Sequence, residues 1–173
     1  MSNDGIIKIN DSTQLSAVFS DVYKFWLSKS KDGRLPGVSD FKLDELPIKI
    51  LPWSIIADVI TDDGDTDYKF RFWGTQRASL IGFDMTGKFL SEIGSKDMRD
   101  GNTVEYEYVM KHKAPILCQT PIVTSTGRSI AMNSIRLPLS DNGERVARVF
   151  SAIDPDNVTS EHYAHFGTDP SRM

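Results

Sequence analysis

The stretch Tyr68–Ile93, YKFRFWGTQRASLIGFDMTGKFLSEI, changes rhythm twice. It alternates from Tyr68 to Trp73, turns at Gly74-Thr75, continues with helical spacing, and breaks again over Gly82–Gly87. The alternation places Tyr68, Phe70 and Phe72 on one face of a strand and Lys69, Arg71 and Trp73 on the other. Gly74 permits the turn off that strand, and Asp84 and Thr86 are suited to bonding local backbone N–H groups. GFDMTGK echoes a phosphate-binding loop, but Phe89 stands where a Ser or Thr must follow the lysine, which excludes a P-loop.

Upstream, SIIADVIT (54–61) is rich in β-branched residues and is joined to YKFRFW through TDDGDTD, so the two runs predict a hairpin. The acidic tip lacks the ligand spacing of a calcium loop and reads as a solvated turn. Further back, DFKLDELPIKILPW (40–53) allows only short helical turns between Pro47 and Pro52. Residues 1–10 read as a loose lead-in. Asp11 and Gln14 form a capping-box pattern, after which Leu15, Val18, Phe19, Val22, Phe25 and Trp26 paint one apolar stripe on a helix. Gly33, Pro36 and Gly37 end it.

Downstream, Thr103–Lys111 predicts a helix with Tyr106, Val109 and Met110 inward. APILCQTPIV (114–123) is a strand whose Pro115 and Pro121 suit a sheet edge or a bulge. RSIAMNSIRLPL (128–139), DNG (141–143) and RVARVFSAID (145–154) predict a further hairpin. The order is helix, two strands, short helices, three strands. Helices packed over one antiparallel sheet make this an α+β fold.

The chain has 173 residues, 39% hydrophobic and 25% charged, which suits one globular domain. A net charge of −4 with scattered basic residues provides no concentrated face for nucleic acid. No apolar run is long enough to cross a bilayer, and the start lacks the pattern of a signal peptide, so a cytoplasmic protein without membrane contact is expected. Cys118 is the single cysteine, which excludes an intramolecular disulfide.

YKFRFWGT, GFDMTGKFLSEI and LPGVSDF, taken in order, resemble a bacterial stand-alone subfamily of PAS domains, with a strand ending in Gly-Thr and a later Asp-x-Thr-Gly turn. The resemblance runs from about Leu35 to Asp154. It implies a five-stranded antiparallel sheet whose concave face, roofed by short helices, can hold a small molecule. It also implies a flanking N-terminal helix that often makes a dimer. The corresponding divisions are 1–34 for the lead-in and flanking helix, 35–156 for the PAS-like domain, and 157–173 for the tail.

Within that frame the expected ligand-facing residues are Phe70, Phe72, Arg77, Tyr106, Met110, Cys118, Met132, Ser134 and Phe150. Gln119, Thr120 and Asn133 are further polar candidates whose facing depends on register. Arg77, beside the expected pocket mouth, is suited to a ligand carboxylate or phosphate, although a solvated helix charge is the commoner role. Phe19, Val22, Phe25 and Trp26 are the expected dimer contacts.

Haem and flavin are not expected. His112 is flanked by Lys111 and Lys113 at a helix end, and Cys118 lies on a strand, outside the helix motif of the flavin-reactive class. Glu161, His162 and His165 lack zinc spacing, so no metal site is expected. The expected function is therefore sensing or regulation without enzymatic activity, through a small ligand, a homodimer or a signalling partner. The alternatives are a ligandless interaction module and, least favoured, an enzyme using a buried acid, for which Asp58 is the mid-strand candidate.

Overall fold

A computed structural model of the chain describes residues 5–162. His165 and the tail from 163 onward lie outside the described residues. Six strands form one antiparallel sheet in the order β1-β4-β5-β6-β2-β3: β1 (Ile7–Lys8), β2 (Ser54–Asp62), β3 (Asp65–Trp73), β4 (Ile116–Val123), β5 (Ser129–Ser140) and β6 (Val146–Ile153). Three helices, α1 (Ala17–Lys29), α2 (Thr75–Ile81) and α3 (Lys96–His112), cover its two faces.

The alternating runs and their turns form as the sequence dictates. Asp63 and Gly64 both adopt positive φ, +45° and +91°, the backbone a tight hairpin between twisted strands requires. The expected five strands become six. Ile7 and Lys8 pair with Leu117 and Ile116, and the amide of Ile9 donates to the Pro115 carbonyl. Two residues are too short a pattern to read as a strand, so the expected loose lead-in contains a short paired segment at Ile7–Lys8. Beyond these pairs β4 has no further strand partner on that edge among the described residues, which is where Pro121 lies.

The Asp11–Gln14 capping box exists, but it closes a 3-10 turn over Ser12–Gln14, and α1 starts at Ala17. The stripe on α1 then packs on the sheet of its own chain. Phe19, Val22 and Trp26 are buried with Ile56, Ile135, Leu137 and Phe150, and the Trp26 indole donates to the Pro138 carbonyl at 2.8 Å. Burying each such side chain stabilises the fold by about 1.5–3 kcal/mol. As placed, these three expected dimer contacts are part of the domain core, because the sheet has two apolar faces and α1 covers the second. Phe25 stays half-buried, against Phe41. The helix therefore shares the core of the strands, and the division drawn at residue 34 is no break in packing.

The other sheet face meets α2 and α3. Here α3 is longer than expected. It begins at Lys96, where the Ser95 hydroxyl accepts from the Met98 amide. It can lie close to β4 because Gly101 is opposite Pro121; a Cβ on Gly101 would come within 2.3 Å of the proline ring. Gly82, at φ +88°, ends α2 in the left-handed region. The following loop folds back on β3. Asp84 accepts from the Thr86 amide, and Gly87 and Lys88 exchange backbone bonds with Phe70. The Gly82–Gly87 break thus builds a cover for the outer edge of β3.

Candidate functional site

A β-bulge decides which residues face the layer under α2 and α3. Ile56 pairs with Phe72 but Ala57 pairs with Phe70, so Arg71 has no opposite residue and the strand loses its phase there. Tyr68, Phe70 and Trp73 face α3, whereas Phe72 turns to the α1 side. Phe72 is therefore not a residue of this layer. Phe150 also faces α1, beside Phe41, because β6 sends Val149, Ser151 and Ile153 to the α3 side. Met110 is half-buried and lines an outer groove of about 700 Å³ with Asp65, Glu107 and Lys111. It packs against the apolar cluster of the layer from a half-buried position.

Phe70, Arg77, Tyr106, Cys118, Met132 and Ser134 do come together in the layer. Of the polar candidates, Thr120 and Ser134 point inward while Gln119 and Asn133 are exposed, which fixes the register of β4 and β5. Tyr106 stacks on Tyr68 with ring centroids 4.5 Å apart.

At the centre is an ion pair the sequence reading missed. Arg136, from the middle of β5, is 1% exposed, and Glu105, on the inner face of α3, is 4% exposed. Arg136 Nε donates to Glu105 Oε2 at 2.8 Å, and Nη2 donates to the same oxygen. Nη2 also reaches Asn102 Oδ1 at 2.7 Å, and Nη1 reaches Ser151 Oγ at 2.8 Å. Thr120 donates to Glu105 Oε2 at 2.8 Å, and the guanidinium lies 4.2 Å from the Tyr106 ring centroid. Burial works against the Arg136 charge, but Glu105, with Tyr106 and Cys118, outweighs it and raises its pKa. Two signals were available. Asn102, Glu105 and Tyr106 share a helical face, and Arg136 falls in phase with Met132 and Ser134.

Arg77 differs in kind. It is 3% exposed, and its Nε and Nη1 have no hydrogen-bond partner among the described residues. Burial, and then the neighbouring Arg136 charge, bring its pKa down to about 10. The Trp73 ring centroid is 5.9 Å from its guanidinium carbon, and the Trp73 indole N–H is a further buried donor without an acceptor. Neither the pocket-mouth position nor the solvated helix charge describes Arg77. α2 packs down on the sheet and carries the side chain inward.

Cys118 is buried, 3.6 Å from the Ser134 carbonyl oxygen. Burial, and next the Glu105 charge, push its thiol up to about 12. The native state therefore keeps a proton that an unfolded thiol, near 9, releases. The stability this proton contributes is complete below pH 9 and is lost as pH rises to about 12. Cys118→Val is expected to flatten this part of the alkaline decline in a urea titration series. The native thiol is also expected to resist iodoacetamide at pH 8 and to react once the chain unfolds.

Asp58 lies between Arg71 and Arg148, at 2.7 Å from each, on the α1 side of the sheet. It is not the buried acid an enzyme reading required. His112 ends α3, exposed, with its ring against Tyr108. No group of metal-ligating side chains is present, and no helix is long and apolar enough to cross a membrane, among the described residues.

Residues 16–154 match the family described as PAS domain. The chain belongs to the PAS-domain family. The match takes in α1, consistent with that helix sharing the domain core. No curated protein matches the chain. Among solved structures, the PAS chain is similar to the photo-excited blue-light photoreceptor Vivid, at 11% identity and a TM-score of 0.47 over 78% of this chain and 94% of that one. It is also similar to a fungal LOV domain photoreceptor, at 12% identity and a TM-score of 0.46 over 80% and 94% of the two chains. An RNA-binding light-oxygen-voltage receptor is similar at 13% identity and a TM-score of 0.43, over 70% of this chain and 36% of that one.

Proposed function

We propose that this PAS-family protein is a non-enzymatic sensor or regulator that binds a small molecule between the sheet and α2–α3. The observation that carries this reading is Arg77, a buried guanidinium with unpaired N–H groups amid apolar walls. Buried polar groups in folded proteins are almost always paired, and an exception points to a ligand, an ion or water. Phe70, Trp73, Tyr106 and Met132 supply apolar surface, and Arg77, Ser134 and the Arg136 network supply polar groups, the combination small-molecule sites use. The buried acid Glu105 is engaged by Arg136 and Thr120, which favours a structural over a catalytic use.

A thermal-shift screen of the full chain with metabolites and nucleotides, followed by calorimetry, tests the reading. A true ligand at a hundred-fold excess over its Kd stabilises by about 2.7 kcal/mol. Absence of saturable stabilisation across the screen would refute it.

A second reading, a ligandless interaction module in the cytoplasm, is favoured by the completeness of the Arg136 network, which fills part of the layer from within the chain. A homodimer or signalling partner docking on α1 would meet half-buried Phe25 and exposed Leu27 on its outer side. Phe25→Glu is then expected to convert a dimer to a monomer in analytical ultracentrifugation; a monomeric wild type rules the homodimer out.

A further inference from the structure

The ligand-binding layer is not charge-neutral. Of the buried charged side chains among the described residues, Arg77, Arg136 and Glu105 belong to it. The fourth, Asp154, accepts from the Asp156 amide at the end of β6, where it caps the following turn. Two guanidinium groups therefore share one carboxylate. Glu105 is committed to Arg136 through both Nε and Nη2, and its remaining bond in the layer is to Thr120. No carboxylate approaches Arg77 within ion-pair distance among the described residues. A buried charge left uncompensated is costly, far more so than one paired in good geometry.

The unpaired groups are also chemically one-sided. Arg77 Nε, Arg77 Nη1 and Trp73 Nε1 are all donors. A guanidinium has no acceptor capacity, and an indole N–H is donor only. What would satisfy them is a group composed of acceptors, such as the oxygens of a carboxylate or a phosphate. A neutral amide or alcohol could meet these donors with its oxygen but would leave the excess positive charge of the layer uncompensated.

We infer that the molecule bound in this layer carries an oxyanion, a singly charged carboxylate by charge count, held by Arg77. This rests on the proposed ligand-binding function and specifies its chemistry. Arg77 is the recognising group, and Arg136–Glu105 is the fixed pair beside it, whose charges are already matched. Bound carboxylate would bring the layer to neutrality, whereas a doubly charged phosphate would overshoot.

Matched pairs of probes test this on the full chain: sodium benzoate against benzamide, sodium hexanoate against hexanamide, and inorganic phosphate alone. The carboxylates are expected to raise the Tm saturably and the amides to leave it unchanged. Arg77→Met, which keeps an unbranched side chain and removes the charge, is expected to weaken the carboxylates by about tenfold or more, the value of a charge-assisted bond. A measurement on wild type alone covers the possibility that the variant does not fold. In arginine Nε–H NMR spectra, benzoate should move the Arg77 resonance and leave that of Arg136 near its place.

Equal binding of amides and carboxylates, unaffected by Arg77→Met, would overturn the oxyanion inference and leave the small-molecule function standing. Binding of phosphate in place of carboxylates would overturn the single-charge assignment. No binding by any probe, with a stationary Arg77 resonance, would overturn the inference; whether the layer takes any ligand is then decided by the wider metabolite screen.

Discussion

Glu105→Ala is expected to destabilise the protein by about 3–5 kcal/mol, the cost of breaking a buried ion pair by removing one partner. The carboxylate binds two nitrogens of Arg136 and the Thr120 hydroxyl in a place almost without water. Its loss leaves two buried guanidinium groups with no buried carboxylate in the layer, and the Arg136 charge already lowers the Arg77 pKa. For a chain of this size the loss corresponds to a fall in Tm of about 6–20 °C. The double variant Glu105→Leu with Arg136→Met is expected to recover most of this, because apolar side chains of similar volume often replace a buried pair at little or no cost. Urea unfolding followed by tryptophan fluorescence measures both. A single variant within about 1 kcal/mol of wild type would mean that water reaches the pair and screens it.

Gly74→Ala is expected to cost about 3 kcal/mol or more, at or beyond the upper end of ordinary overpacking. The reason differs from the one the sequence offers. Gly74 has φ −64° and ψ 144°, an ordinary conformation for any residue, so no left-handed turn demands glycine there. What demands it is proximity. A Cβ would lie 2.3 Å from the Pro52 carbonyl oxygen and 2.8 Å from that of Leu51. Both obstacles are backbone, and the Gly74 amide is fixed to the Ser54 carbonyl at 2.8 Å, so neither side can give way cheaply. Relief would require moving the start of α2, which carries Arg77. The control is Gly87→Ala, where φ is +83° and nothing lies within 4 Å of the added carbon. There only the left-handed strain of about 1–2 kcal/mol is expected. Equal losses in the two variants would contradict the close-approach argument.

The glycine and arginine cases lie beyond what the chain shows locally, and the turns lie within it. Hairpin tips are local: Asp63-Gly64 announces its own backbone, and so does the Asp84–Thr86 turn. The apolar stripe on α1 predicted a helix with one greasy side. Which surface the stripe would meet, its own sheet or another copy, was not in the stripe.

The candidate site was legible in part. Phe70 was placed by the alternation of its strand, and Tyr106, Cys118, Met132 and Ser134 were expected within the PAS frame; all five lie in the layer. Phe72 was placed by the same periodicity and does not, because one extra residue at Arg71 inverts the alternation beyond it. A strand's period of two residues holds only while the pairing register holds, and the register depends on β2, not on β3 alone. Glu105 and Arg136 show the same limit from another side. Each looks like a surface charge in its own segment, and only their meeting across 31 positions makes both tolerable inside.

The sequence by itself therefore determined the element order from α1 onward, the turns, the α+β class and the amphipathic faces, since these follow from interactions between residues a few positions apart. Tertiary structure alone decided the bulge, the close contact at Gly74, the buried ion pair and the burial of Arg77. Those depend on which distant segments meet, and burial changes the energy of a charge by more than any local preference does.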